Sequence, residues 1–406
     1  SMVRAVWLSP FAWALAAMSR QKWGANLPDS RFDLAQLAYL DSVWTERGDA
    51  FNAVLDSADT VWGILTSCSR AGRTKPVLVG GNVTFIRDQP QTLYRTSFSP
   101  ENIIRGSFSV DYILNSEESP DAVVIEYFST ATWEWKERLC PPDSTAENPA
   151  RKKILGISSS AHAYREGMYE YACNERRRIL SSFTTELDGR PLLPGQLVSI
   201  SHPLPKWGEA GVIKAMYAPK NGPVTLTLSA PLEWSEGQDH YIMLRKPSGS
   251  LWRECKILPG DTARRIILDP DDLARVINDT EDDPRKWIYT GRRKDRTGYQ
   301  AGPGEAWARP CVVVSVTPRG LDRVDVVCIN ESAAVHTADQ GQVPPDPVYS
   351  SLPGVTDGPI VTGLRATQSG TADAPILNLG WTPAAGAGSY IAQTSINNRD
   401  WTSTTV

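Results

Sequence analysis

The chain has 406 residues, enough for two to four domains that each bury a core without disulfide bonds. Its 42 basic and 46 acidic residues give a net charge of −4, which argues against a protein dedicated to nucleic acid or to anionic membranes. The six cysteines and four histidines are scattered without metal-ligand spacing. We therefore predict neither a zinc site nor a dense disulfide framework, and buried reduced thiols instead.

The composition favours a β-rich chain, because 30 glycines, 30 prolines and 14 tryptophans suit many turns and large aromatic anchors. No apolar stretch reaches the roughly 20 residues that a membrane helix needs. The start, SMVRAVWLSPFAWALAAMSRQKW, places a basic residue before an apolar run, as a signal peptide does, but Pro10 and bulky aromatic residues interrupt the run. We interpret Ser1 and Met2 as a cloning remnant ahead of a fragment of a longer chain.

Residues 1–150 are predicted to form one domain with N-terminal helices and β-strands. Apolar residues from Asp49 to Ser67 recur at helical spacing, with Arg47-Gly48-Asp49 as the turn and N-cap that start this helix. The stretch KPVLVGGNVTFIRD predicts two strands joined by Gly80-Gly81, whose glycines supply positive φ. Further strands are expected in IIRGSFSVDYIL and DAVVIEYFSTATWEWKER.

A second amphipathic helix is predicted from Ser160 to Leu180, with Ser160 as its N-cap and the arginines of NERRRIL in a structural or interface role. The following stretch, TELDGRPLLPGQLVSISHP, contains a tight turn at Asp188-Gly189 and a type II turn at Pro194-Gly195. The structural turn residues that we expect to tolerate replacement least are Gly189, Pro194 and Gly195. The lone His202 is predicted to be a surface or hydrogen-bonded residue, not a catalytic base.

Residues 151–340 are predicted to form a helix plus a β-barrel-like domain. Short strands in LVSISHP, GVIKAMYAP, PVTLTLSAPL and HYIMLRKPSGSLWRECKIL are each bounded by Gly, Pro or Asn. RRIILD adds a strand, and CVVVSVTPRGLDRVDVVCIN adds a hairpin around Pro318-Arg319-Gly320. The polar segments DPDDLARVINDTEDDPRKW and GRRKDRTGYQAGPGEAW are predicted to be exposed loops.

The end of the chain predicts a linker and part of one more domain. Residues 341–358 are rich in Pro, Gly and Asp and indicate a linker. Residues 359–406 follow the opening strands of a fibronectin type III-like β-sandwich, with Trp381 and Tyr390 in its core. The predicted fold class is thus α+β and mostly β: several small barrel- or sandwich-like β-domains, two amphipathic helices and a partial fibronectin type III-like end.

No catalytic motif stands out. The acidic residues from Asp269 to Asp283 are crowded into one polar segment, whereas acid–base catalysis needs carboxylates that face each other from separate elements. The same run lacks the D-x-D-x-D-G spacing of a calcium loop, and no nucleophile elbow, P-loop, dinucleotide-binding fingerprint or HExxH motif is found. We predict no catalytic residue, no metal site and no cofactor.

The order of these segments resembles the host-specificity, or tip attachment, protein J family of lambda-like tailed phages. The collinear segments are SPFAWALAAMSRQKWGANLP, DAFNAVLDSADTVWGILTSC, GNVTFIRDQP, IIRGSFSVDY, DAVVIEYF, AHAYREGMYEYACNERRRIL and LDGRPLLPGQLVSIS. The resemblance covers about Val3 to Ser201 and is looser beyond; PPDSTAENPARKK and DPDDLARVINDTEDDPRKW have no counterpart.

The resemblance implies a non-enzymatic central hub at the tip of a non-contractile tail, which contributes to host attachment and genome delivery. It implies a virion component, made in the host cytoplasm, that forms a homotrimer and contacts other tail tip proteins. It also implies that a host outer-membrane receptor is bound by regions beyond Val406, and that nucleic acid is not bound sequence-specifically.

Two other classes of protein stay open. The tryptophans and the acidic run also suit a carbohydrate-active enzyme or a carbohydrate-binding extracellular protein with a fibronectin type III-like module. Two carboxylates about 5 to 9.5 Å apart in a tryptophan-lined groove would favour that class, and buried tryptophans would weaken it. An extracellular adhesion protein made of several β-domains is the third possibility.

Overall fold

The computed structural model describes residues 4–8, 11–22, 24–55, 59–114, 119–142, 144–220, 222–291, 296–304, 307–345, 361–371, 374–384, 389–395 and 399–406. These residues form an α+β fold that is mostly β, as the sequence predicts. The chain divides into two compact units, Ser1–Pro344 and Pro345–Val406. None of the described helices is long and apolar enough to cross a membrane.

The elements are numbered along the chain. The helices are α1 (Phe11–Arg20), α2 (Leu34–Arg47), α3 (Val61–Ser69), α4 (Ser160–Arg176), α5 (Pro270–Thr280) and α6 (Ala333–Thr337). The strands of the first unit are β1 (Arg4–Leu8), β2 (Phe51–Leu55), β3 (Thr74–Val79), β4 (Asn82–Arg87), β5 (Ser97–Phe98), β6 (Ser109–Tyr112), β7 (Ala122–Ser129), β8 (Glu134–Cys140), β9 (Pro149–Lys153), β10 (Ile179–Thr185), β11 (Leu197–Ile200), β12 (Glu209–Tyr217), β13 (Thr225–Leu228), β14 (His240–Arg245), β15 (Leu251–Pro259), β16 (Arg265–Leu268), β17 (Gly298–Pro303), β18 (Arg309–Arg319) and β19 (Arg323–Asn330). Those of the second unit are β20 (Thr362–Thr371), β21 (Ala374–Thr382), β22 (Ile391–Thr394) and β23 (Thr402–Thr405).

The N-terminal region surrounds an aromatic core with α1 to α4, the strand pairs β1–β2 and β3–β4, and the sheet β8-β7-β9. The ring of Phe11 lies 4.3 Å from that of Trp44 and stacks on Phe51 at 5.3 Å between centroids. Gly72 has room only for hydrogen, because a Cβ atom there would lie 2.1 Å from the Phe11 ring. Large rings and one close backbone approach therefore fix how these elements meet.

The helix predicted from Asp49 to Ser67 is wrong over its first half. Phe51–Leu55 is strand β2, which pairs antiparallel with β1, and the helix that follows is α3. Thr60 caps α3 by accepting a hydrogen bond from the Gly63 N–H. Apolar residues at positions 51, 54 and 55 are compatible with a helix or with a strand. The pairing with β1, more than forty residues earlier in the chain, makes this segment a strand.

Two local predictions in this region hold well. The Gly80-Gly81 hairpin is confirmed, since Val79 pairs with Asn82 and both glycines have positive φ, 58° and 85°. Helix α4 begins at Ser160, although the side chain that caps it belongs to Ser159. The helix ends at Arg176, before the predicted Leu180, because β10 starts at Ile179.

A six-stranded sheet in the order β5-β11-β18-β19-β10-β6 lies next along the chain. Its long hairpin β18–β19 has the loop Gly320–Asp322, slightly later than the predicted Pro318–Gly320, because Arg319 pairs with Arg323. Gly320 supplies the positive φ of 70° that this loop needs. The short strands β5 and β6 form the two edges of the sheet.

The barrel-like prediction is confirmed by a closed barrel of strands β12-β13-β16-β15-β14-β17. Its interior is apolar, and the fully buried side chains include Leu228, Leu244, Trp252 and Ile266. Closure leaves no free edge, so every strand of the barrel pairs on both sides.

Both segments that the sequence assigned to exposed loops contribute to this barrel. The acidic run contains α5, which packs Leu273 and Val276 into the barrel core. Asp269 caps it by accepting from the Asp271 and Asp272 N–H groups, so the acidic residues stabilise its first turn. The second segment contains β17, whose partners β12 and β14 come from distant parts of the chain, which no local pattern reveals.

The second unit consists of two antiparallel pairs, β20–β21 and β22–β23. The ring of Trp381 lies 5.3 Å from that of Tyr390, edge to face, and both rings are half-buried. Most of the predicted linker, from residue 346 to residue 358, lies outside the described residues.

Candidate functional site

The predicted turn residues have two different local structures. Gly195 has a φ of 88°, and the Gln196 N–H donates to the Leu193 carbonyl at 3.2 Å, which is the geometry of a type II turn with Pro194 in its first central position. Gly189 instead ends a short 3-10 helix, and a Cβ atom there would lie 2.7 Å from Thr185 Cγ2. That these residues resist replacement stays a prediction.

Several cysteine and histidine side chains have structural roles. Burial raises the pKa of Cys68 and Cys140 to about 12, which keeps these thiols protonated near neutral pH. The His202 ring stacks on Phe108 at 4.0 Å and its Nδ1 accepts from the Leu204 N–H. His240 Nε2 accepts from the Ser235 N–H. The other two histidines belong to the buried charge networks described next.

The first charge network, the "Arg73 network", joins four distant segments at the N-terminal half of α4. It consists of Arg47, Asp49, Arg73, His162, Arg165, Glu166 and Asp339. Arg73, which follows α3 with φ 56°, bonds Glu166 at 2.8 Å and Asp339 at 2.7 Å, and all three side chains are almost fully buried. Breaking one partner of such a network leaves an uncompensated charge in the interior.

The structure overturns the interpretation of Arg47-Gly48-Asp49 as the start of a helix. Gly48, with φ 68°, ends α2 in a left-handed cap, and Asp49 accepts hydrogen bonds from Arg47 at 2.8 Å and from Arg165 at 2.6 Å. Burial opposes ionisation of Asp49, but His162, Arg47 and Arg165 outweigh it and lower its pKa. Local capping rules could not reveal these partners, because α4 lies more than a hundred residues further along the chain.

The second network, the "Arg177 network", lies at the opposite end of α4 and consists of Asp88, Tyr169, Arg177, Glu331 and His336. Arg177 binds both carboxylates of this group, Glu331 at 2.6 Å and Asp88 through two hydrogen bonds. Burial opposes ionisation of Asp88, but the hydrogen bond and charge of Arg177 lower its pKa. The structural role predicted for the arginines of NERRRIL is therefore consistent with the contacts of Arg177.

Each network contains a trio that could in principle ligate a cation. The atoms of Asp49, His162 and Glu166 lie within 4.8 Å of one another, and so do those of a second trio, Asp88, Glu331 and His336. In both trios, however, the carboxylates already bind guanidinium groups, so a divalent ion would meet positive charge at short range. The residues fit ion-pair networks that tie α4 to distant segments better than metal centres.

Two clefts among the described residues are lined by aromatic side chains. The "hairpin cleft", about 690 Å³, lies beside the β7–β8 hairpin, and its lining includes Asn52, Arg70, Phe128, Trp133, Trp135 and Lys153. The "barrel cleft", about 1070 Å³, is lined in part by Tyr94, Trp207, Trp252 and Trp307, together with Glu254 and Asp279. The abundance of tryptophan in the sequence does not show which rings are exposed: Trp133 and Trp135 are exposed, whereas the tryptophans of the barrel cleft are buried.

Comparisons with known proteins give little beyond the structure itself. No protein-family model and no curated protein matches the chain. Solved structures do match: the tail protein from Neisseria meningitidis MC58 is 10% identical with a TM-score of 0.32, over 74% of this chain and 67% of that protein. The 43 kDa tail protein of prophage MuSo2 from Shewanella oneidensis is 9% identical with a TM-score of 0.26, over 53% of each chain.

This chain therefore spans about half the length of the MuSo2 protein. At identities and TM-scores this low, neither likeness carries an argument about the fold or the function of this chain.

Proposed function

We propose that the chain is a structural component of a bacteriophage tail tip, a central hub of the host-specificity type. The observation that carries the proposal is the collinear order of seven segments between Val3 and Ser201, about half of the chain, which resembles that family. The proposed role is non-enzymatic: the protein assembles with other tail tip proteins in the virion and contributes to host attachment and genome delivery.

The edge of the six-stranded sheet that is formed by β6 supports an assembly role. Strand β6 pairs only with β10 among the described strands, so its other side presents unpaired backbone groups. Tyr112, Ile113 and Leu114, at and just after its end, are all more than half exposed. An exposed strand edge followed by apolar side chains is suited to a contact between subunits, and three such contacts around an axis would close a homotrimer.

The buried charge networks also suit a structural protein, because they connect distant segments of the chain. They use Asp49, Asp88 and two histidines to hold helices together, so these titratable groups are engaged in structural pairs. In the barrel cleft, Asp279 lies 3.6 Å from both Arg253 and Arg275. The Trp207, Trp252 and Trp307 rings that line this cleft are buried, and buried tryptophans weigh against the carbohydrate-active alternative there.

The location is tested by electron microscopy of phage particles labelled with antibodies against this chain. We expect labels at the distal end of the tail only. Labels along the tube, on the head, or absent from particles that contain the protein by mass spectrometry would contradict the proposal.

The assembly is tested by light scattering on the protein released from tails. We expect a trimer, and we expect Ile113→Lys to shift it toward the monomer because the charge would be buried in the contact. The matched control is Leu321→Lys, at an exposed loop position away from β6. A strict monomer, or a trimer unchanged by Ile113→Lys, would contradict the proposed contact.

A further inference from the structure

The hairpin cleft has two large rings that the fold does not bury. Trp133 and Trp135 are 66% and 58% exposed. Both stand edge-to-face against Phe128, with ring centroids 6.1 Å and 5.6 Å away. Phe128 therefore orients two indoles that stay more than half exposed, and exposed rings of this kind offer flat faces on which a ligand can stack.

The backbone of Trp133 has a conformation that is unusual for a bulky residue. Ser129 pairs with Glu134, so Trp133 is the last residue of a four-residue hairpin loop, and its N–H donates to the Ser129 carbonyl at 2.8 Å. Its φ is 56°, in the left-handed region that glycine or asparagine occupies at little cost and a bulky side chain does not. Glycine would adopt this φ at lower cost, so the indole, with Phe128 as one of its contacts, is kept in spite of backbone strain.

The charge of the cleft is one-sided. Lys153 Nζ lies 3.7 Å from the centroid of the Trp135 ring, and no carboxylate of the described residues lies within salt-bridge distance of it. Arg70 is half exposed and has only a long contact, 3.5 Å, with Glu170. The described lining residues include these two cations and no carboxylate. A ligand with negative charge is therefore favoured.

The cleft offers little backbone for a peptide to pair with. The Asn52 N–H donates to the Gly156 carbonyl at 3.0 Å, and the Thr130 N–H donates to the Ser158 carbonyl at 3.2 Å. We expect recognition to rely on side chains: the exposed indole of Trp133, two cations and the side-chain oxygen of Asn52, whose Nδ2 donates to Ser158 Oγ at 2.8 Å. This combination suits a sugar ring better than an added β-strand.

We propose that the hairpin cleft binds an acidic saccharide, whose ring stacks on Trp133 beside the Lys153–Trp135 pair and whose carboxylate or phosphate pairs with Lys153 and Arg70. The proposal is independent of the tail-tip role, since it rests only on the geometry of this cleft. The volume of about 690 Å³ accommodates a short oligosaccharide.

The test titrates the intact chain with three acidic saccharides, 3′-sialyllactose, trigalacturonate and a hyaluronan tetrasaccharide. Their neutral counterparts are lactose, cellotriose and chitotetraose. Tryptophan fluorescence and saturation-transfer NMR follow binding. We expect at least one acidic saccharide to saturate with a Kd on the order of 1 mM or lower, and its neutral counterpart to bind about tenfold more weakly.

The proposal is overturned if none of the acidic saccharides saturates below about 10 mM. It is also overturned if neutral and acidic saccharides bind equally, or if hexaglutamate binds as tightly as the best saccharide, which would point to an acidic protein segment instead.

Variants locate the site and separate binding from folding. Trp133→Gly is expected to weaken binding at least tenfold while the protein stays folded, because glycine relieves the positive φ and so offsets part of the lost contact with Phe128. Lys153→Gln is expected to remove the preference for the acidic saccharide and to leave weak neutral binding. The controls are Trp13→Ala and Lys214→Gln, both exposed and outside the cleft. Unchanged binding in Trp133→Gly would place the ligand elsewhere and overturn the assignment.

Discussion

The barrel and the region around α4 belong to the same compact unit, but different interactions determine their structures. The barrel closes on itself, and its interior is apolar, so strand pairing and side-chain volume determine its structure. Around α4 an aromatic core is joined by two networks of buried charges whose members lie far apart in sequence. Hydrophobic burial is non-directional, whereas each buried charge requires a particular partner.

The comparison predicts that the largest loss of stability comes from an unpaired charge near α4. Arg73→Met removes the guanidinium group from Glu166 and Asp339, and we expect the free energy of unfolding to fall by about 4 kcal/mol. Urea denaturation measures the change. The matched control is Arg265→Met at an exposed pair with Asp261, where we expect about 0.5 kcal/mol or less. Equal effects of the two variants would mean that the Arg73 network does not specify the region.

A cavity in the barrel should cost somewhat less. Leu228 is fully buried, and Leu228→Ala is expected to lower the free energy of unfolding by about 3 kcal/mol through lost contacts and a cavity. Because no charge is involved, the loss should be the same at pH 7 and at pH 5. A loss that depends on pH over this range would break the proposed contrast between the two regions.

A turn variant separates local backbone chemistry from both kinds of burial. Gly195→Val places a β-branched side chain at φ 88° and a Cβ atom 2.7 Å from Ile86 Cγ2, so we expect a loss of about 2 kcal/mol in thermal melts. Gly298→Ala is the control, since its Cβ would make only ordinary contact, 3.6 Å from the nearest atom, without a positive φ. An unaltered melt of Gly195→Val would rule out the turn that we describe.

The smallest expected effect is a local response to acid. The pKa values of Asp49, Asp88 and Asp339 are lowered from 3.8, because charged partners outweigh a burial that by itself would raise them. Below about pH 4 the unfolded chain then binds more protons than the folded chain, so this stabilisation is present above that pH and is lost as the pH falls further. Glu166 acts in the opposite sense, since burial raises its pKa.

Hydrogen exchange resolves this response by region. With three aspartates against one glutamate, we expect protection factors in α4 to fall from about pH 5 to about pH 3, while those of the barrel strands stay constant. Arg177→Met should reduce the fall at the C-terminal end of α4. A barrel that loses protection before α4 would contradict the comparison.

The sequence predicted the features that depend on neighbouring residues. The Gly80-Gly81 hairpin, the start of α4 and the short strands of the barrel all follow from turn chemistry and apolar period within a few residues. Helix α5 was also within reach, because Asp269-Pro270 is a helix start and Leu273, Val276 and Ile277 have helical spacing. Because that segment is rich in acidic residues, the sequence was interpreted as an exposed loop instead of a helix.

The candidate sites depended on tertiary structure. The sequence predicts strands through DAVVIEYFSTATWEWKER, but it does not reveal that the Trp133 and Trp135 rings are exposed, that Trp133 has positive φ, or that Lys153 lies over Trp135. Likewise, nothing near Asp49 in the sequence indicates Arg165 as its partner.

By itself, the sequence therefore determined the α+β class, the Gly80-Gly81 and Pro194-Gly195 turns, helix α4, several strands and the collinear order on which the proposed function rests. Only the tertiary structure decided that residues 51–55 form a strand, that β17 closes the barrel, and which charges are buried together. The physical reason is range: dihedral preferences and apolar periods act over a few residues, whereas strand partners, ion pairs and clefts depend on segments brought together by folding.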